Sequence, residues 1–142
     1  MTKFLPFIFA MFFLTGISPR LVSQTNYPTN PEGAKLVLTD LENFLDAYKQ
    51  LGSDVDSIAV LKQYYFNRAS KGLKEYILKH NLTPELMVEA MGKDPEVYGQ
   101  IGKFVSNINE TKKIFKKIMV KYSNVLSKAT YPPAYLLVGA NR

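Results

Sequence analysis

Few side chains in this sequence can do covalent or metal chemistry, and their spacing is poor. His80 is the single histidine and there is no cysteine, so a transition-metal site would need His80 together with carboxylates. Glu75 and Glu85 stand five residues to either side of it, a separation that puts neither on the same helical face as His80. His80 also adjoins Asn81, where a helix is expected to end and a cation complements the negative helix terminus. Its expected role is structural. The close carboxylate pairs, Asp54 with Asp56 and Asp94 with Glu96, fall at expected helix starts, where they complement the dipole instead of working as an acid and a base. No catalytic, cofactor-binding or metal-ligating residue is assigned on these grounds.

Charge is the next chemical resource. The chain carries 18 basic and 12 acidic residues for a net +6, and its distribution is uneven: from Gly99 to Arg142 there are 8 basic residues against the single acid Glu110. Lys112, Lys113, Lys116 and Lys117, with Lys121 one turn on, form a basic ridge. The plain reading is the solvated face of a long helix, and the competing one is contact with an anionic membrane surface or a polyanion. A nucleic-acid partner is not expected of an exported protein. Tyr64-Tyr65-Phe66 fits core packing at helical spacing better than a sugar or peptide platform. Asn81-Leu82-Thr83 and Asn109-Glu110-Thr111 match the glycosylation acceptor pattern, although Asn109 falls in mid-helix.

The elements that must position these groups are mainly helical. Apolar residues at Leu41, Phe44, Leu45, Tyr48 and Leu51 predict an amphipathic helix opened by Thr39 or Asp40 and stopped by Gly52. A second helix is expected from Asp54 or Asp56 through Ile58, Leu61 and Tyr65, and a short third one carries Leu73, Tyr76 and Ile77. Thr83-Pro84-Glu85 combines an N-cap, a proline at the first helical position and an acid in the first turn, and opens a fourth helix. Asp94-Pro95-Glu96 repeats that signal. The periodicity beyond it, Val97, Ile101, Phe104, Ile108, Phe115, Ile118, Tyr122 and Val125, predicts one long core-facing helix over about 95–126. Gly99 and Gly102 would allow a close helix approach or a break there.

The two ends differ from this pattern. Lys3 precedes the apolar run Phe4 to Leu14, the layout of a secretory signal peptide over residues 1–23, too short to span a membrane. A Pro-rich spacer is expected at 24–38, then a helical domain over 39–142. With no cysteine, the exported chain has no disulfide and no cysteine-linked lipid. At the far end Ala134-Tyr135-Leu136-Leu137-Val138, bounded by Pro132-Pro133 and Gly139, reads as a short β-strand. No second strand is legible, so the domain is expected to be incomplete at its C-terminus or to pair with a partner. The fold class is mainly α: about five helices and one terminal strand.

The order of these pieces resembles a known family. Asp56-Ser57-Ile58 through Tyr65-Phe66 to Gly72-Leu73, then Tyr98-Gly99-Gln100-Ile101, then Tyr131-Pro132-Pro133-Ala134-Tyr135 with Gly139, is similar to the region before the catalytic part of exported bacterial proteins held to be zinc-dependent proteases. Those metallopeptidase-like chains carry an HExxH zinc helix further on. None occurs here, because position 84, four after His80, is a proline, and no zinc ligand or general base carries over. The resemblance implies the non-catalytic helical N-terminal portion of such a protein, truncated before its metal site, with zinc expected only in a longer family member and a downstream protease domain as partner. The alternatives are a free-standing exported binding or adaptor module, whose strand augments a partner's sheet, and an envelope protein docking through the basic ridge.

Overall fold

The computed structural model describes residues 26–126 and 128–140; the leader expected over residues 1–23 lies outside them. In chain order the elements are a 3-10 turn (Pro31–Gly33), β1 (Leu36–Val37), α1 (Thr39–Lys49), α2 (Ser57–Leu61) running into a π-helical turn (Lys62–Phe66), α3 (Lys71–His80), α4 (Pro84–Lys93), α5 (Pro95–Ser106), α6 (Ile108–Val125) and β2 (Ala134–Tyr135). The protein is mainly helical with a terminal strand pair.

Side chains at the helix starts explain several boundaries. Asp56 accepts from the amides of Ile58 and Ala59 at 3.0 and 3.1 Å to begin α2. Ser70 Oγ accepts from Leu73 and Thr83 Oγ1 from Leu86, capping α3 and α4. Asn81 ends α3 in the left-handed region at φ 49°, which asparagine tolerates better than most residues. The first helix departs from expectation, since Leu38 precedes it without a side-chain cap. Asp40 is instead fully buried and bonds Ser70.

The core forms where α1, α2, the π turn, α3 and α4 meet. Phe44, Leu61, Tyr65, Leu73 and Met87 are fully buried there. The Phe44 ring meets the edge of Tyr65 at 5.5 Å and a 77° interplanar angle, a favourable aromatic geometry. The extra residue per turn in the π segment, a feature often found at functional sites, carries Tyr65 into this core.

The helix expected over 95–126 is two helices. It breaks at Asn107, with φ −99° and ψ 14°, outside the helical region and accessible to a side chain that competes for backbone groups. The break falls at neither Gly99 nor Gly102; a Cβ at Gly99 would stand 3.6 Å from the Tyr48 hydroxyl of α1, an ordinary contact, and one at Gly102 would meet nothing within 4 Å. The core-facing reading of its second half is overturned, because no residue of α6 is buried. Phe115 and Met119 are half-covered, while Ile114, Ile118, Tyr122 and Val125 are exposed. The physical reason is that the core closes on the earlier helices and Tyr98 of α5, which leaves α6 at the periphery against the 3-10 turn and α5.

The strand is shorter than 134–138 and it has a partner. β2 pairs in parallel with β1, Leu36 opposite Ala134 and Val37 opposite Tyr135. Ala134 donates to the Lys35 carbonyl at 2.9 Å and Leu136 to that of Val37 at 3.0 Å. The segment 24–38 is therefore more than a spacer in its described part: it supplies a strand, and Pro28 accepts from the Tyr131 amide at 2.8 Å.

Candidate functional site

Beyond β2 the chain is fastened by tyrosines. Tyr65 donates to the Val138 carbonyl at 2.6 Å and accepts from the Val138 amide at 3.0 Å. Tyr98 donates to the Gly139 carbonyl at 3.0 Å. Backbone groups that a sheet would otherwise satisfy are thus held by two ring hydroxyls. Burial pushes the Tyr65 hydroxyl far above its ordinary pKa, opposed by the Val138 backbone and reinforced by the nearby charge of Asp40. The hydroxyl stays neutral, as a donor must.

Two glycines permit the approach of this segment to α3. A Cβ at Gly72 would overlap the Tyr135 ring, and one at Gly139 would lie 2.5 Å from the Tyr76 hydroxyl oxygen. Gly72 with Tyr135, and Gly139 with Tyr76, are thereby brought into one packed unit. Sequence spacing alone left them separated by more than sixty positions.

Along the other side of this segment runs a cleft of about 360 Å³, with Leu136 to Gly139 as one wall and Val97, Ile101 and Phe104 of α5 as the other. Val97 and Phe104 are 56% and 46% exposed, so the walls are apolar and open to solvent. In the parallel ladder alternate residues point to opposite edges. The amides of Tyr135 and Leu137, on the edge away from β1, donate to no described backbone group. The periodic stripe they share predicts Val97 and Phe104 to be core residues, and they are exposed. Their seven-residue separation, offset from the line of Tyr98 and Val105, was the available signal that they form a second face.

The titratable groups do not converge. Among the described residues no three of His, Cys, Asp and Glu are close enough to share a metal ion. His80 is exposed in the last turn of α3, its ring 4.3 Å from that of Tyr76. Glu75 faces Lys71 at 3.9 Å, and the Thr83 side chain holds the Glu85 carboxyl below its usual pKa. Of the aromatic trio, Tyr65 is internal and Tyr64 lies under the Arg68 guanidinium at 4.8 Å, an arrangement favouring cation–π contact. Asn81 and Asn109 are both exposed.

The basic ridge is on the surface as a ridge. Lys112, Lys113, Lys116, Lys117 and Lys121 are all exposed on α6, with Glu110 3.7 Å from Lys113. Lys116, Lys117 and Lys121 also line a cleft of about 670 Å³ against Pro31 and Glu32. No helix among the described residues is long and apolar enough to cross a membrane. Comparison with protein-family models, curated proteins and solved structures finds no match.

Proposed function

We propose that this chain is a non-catalytic polypeptide-binding module, the helical portion of an exported protein of the zinc-dependent-protease kind, and that its own work is done at the cleft between α5 and the segment 134–139. What supports this reading is one observation: an apolar, solvent-open cleft lies on the same tethered segment as the Tyr135 and Leu137 amides, which donate to no described backbone group. An extended peptide gains main-chain hydrogen bonds from such amides and side-chain specificity from such a pocket. Burying apolar surface contributes about 25 cal/mol per Å² on top of those bonds.

The test is a peptide array of random decamers probed with the purified chain. Capture of peptides with alternating apolar positions, lost on Phe104→Asp, is the expected result. Capture of none, or capture indifferent to Phe104→Asp, overturns the reading. Export is tested separately, by mass spectrometry for a new N-terminus near Gln24; an exported form beginning at Met1 excludes cleavage near Ser23.

A further inference from the structure

The chemistry of α6 differs from that of the cleft and is independent of it. Ile114, Ile118 and Val125 are 49%, 52% and 80% exposed. At 3.6 residues per turn their spacing makes one strip along the helix. Lys117 and Lys121 fall along one margin of that strip, and both are exposed. The helix carries five lysines against Glu110 alone, and Glu110 faces Lys113 on its own helix. Glu32 lines the cleft across from Lys116, Lys117 and Lys121.

We infer that α6 docks this protein on an anionic lipid surface, with Ile114, Ile118 and Val125 entering the headgroup boundary and Lys117 and Lys121 meeting lipid phosphates. A helix lying in the interface needs an apolar strip flanked by cations, and both are present on the solvent side of α6. A second copy of this chain fits the strip less well, because pairing strip to strip sets Lys117 and Lys121 beside the same lysines of the other copy. Each basic residue near an anionic membrane strengthens attachment by a definite increment, and opposite charge supplies what that pairing lacks.

The absence of tryptophan from the chain gives a local readout, which distinguishes a contact at α6 from lipid contact made anywhere else in the chain. Ile118→Trp places a probe in the strip, and Leu78→Trp places one on α3, where Leu78 is 79% exposed. With vesicles of phosphatidylcholine and phosphatidylglycerol, the emission of the first is expected to shift to the blue and to be quenched by brominated lipid, and that of the second to remain unchanged. Adding Lys117→Gln and Lys121→Gln to the first is expected to weaken partitioning about thirtyfold, and raised salt to weaken it in the parent. An unshifted Ile118→Trp signal, an equal response from the Leu78→Trp chain, or partitioning unchanged by the lysine substitutions overturns the inference. A strip reserved for an acidic protein gives the first of these outcomes.

Discussion

The Tyr65 hydroxyl and the backbone of Val138 exchange two hydrogen bonds, one in each direction, at 2.6 and 3.0 Å. One side chain thereby does for Val138 what a neighbouring strand does for the residues of β2. Tyr65 sits in the π turn after α2, so the bond ties the end of the described chain to the centre of the helical core.

Removing that oxygen leaves a buried amide and carbonyl without partners. Tyr65→Phe is expected to destabilise by about 1–3 kcal/mol, the cost of stranding a buried polar group. The Tyr131 hydroxyl is buried and has no hydrogen-bond partner among the described residues, so Tyr131→Phe is expected to be neutral or stabilising by about 1 kcal/mol. Urea melts of the two variants check the opposite signs; equal losses would show that the ring environments have been misread.

The same hydroxyl sets an alkaline limit. An unfolded chain releases the Tyr65 proton near the ordinary value of 10.0, whereas burial holds it at higher pH in the folded chain. Between those values the folded state binds more protons, so this contribution to stability is full below about pH 10 and falls as pH rises above it. Melts at pH 9 and pH 11 are expected to show a steeper loss for the parent than for Tyr65→Phe.

Asp40 is fully buried and accepts from both the amide and the hydroxyl of Ser70, joining the first turn of α1 to the start of α3. Asp40→Ala strands the Ser70 amide and is expected to cost about 1.5–3 kcal/mol, the range for hydrogen bonds to a charged group. Ser70→Ala removes a cap and one of the two bonds, about 1 kcal/mol. The double variant in a thermodynamic cycle is expected to cost less than the sum, since the residues share the interaction.

Two helical glycines are expected to respond to alanine with opposite sign. Gly72→Ala drives a methyl group into the Tyr135 ring and is expected to destabilise by about 1–3 kcal/mol through overpacking. Gly102→Ala meets open space and is expected to stabilise by about 0.8–1 kcal/mol through helix propensity. Thermal melts distinguish them, and Tyr135→Ala is expected to rescue Gly72→Ala by making room.

Burial ranks the two apolar faces. Leu61→Ala, at a fully buried site, is expected to cost about 2–5 kcal/mol. Ile118→Ala, Lys113→Ala and Lys117→Ala, all on the solvent side of α6, are expected to stay within about 0.5 kcal/mol. A core-sized loss at Ile118 in chemical denaturation would place α6 in the core after all.

Local chemistry was readable without coordinates wherever a residue acts on its own neighbours. Asp56 and Thr83 cap the amides two and three residues ahead, and Asn81 turns left-handed where α3 stops, because these interactions close within one turn of chain. Periodicity also marked the apolar faces of α1 and α3 correctly, since Phe44 and Leu73 are buried. Periodicity is silent on what an apolar stripe will meet. Ile118 and Leu61 read alike in sequence, yet one faces solvent and the other is sealed, because the first helices complete the core before α6 reaches it. The break at Asn107 preserves the spacing on both sides, so no count of residues reveals it. The partner of β2 is two residues of a Pro-rich stretch nearly a hundred positions earlier, too short for any alternating pattern. Asp40 with Ser70, Gly72 with Tyr135 and Tyr65 with Val138 are decided by where distant segments come to rest, and only the tertiary structure sets those distances.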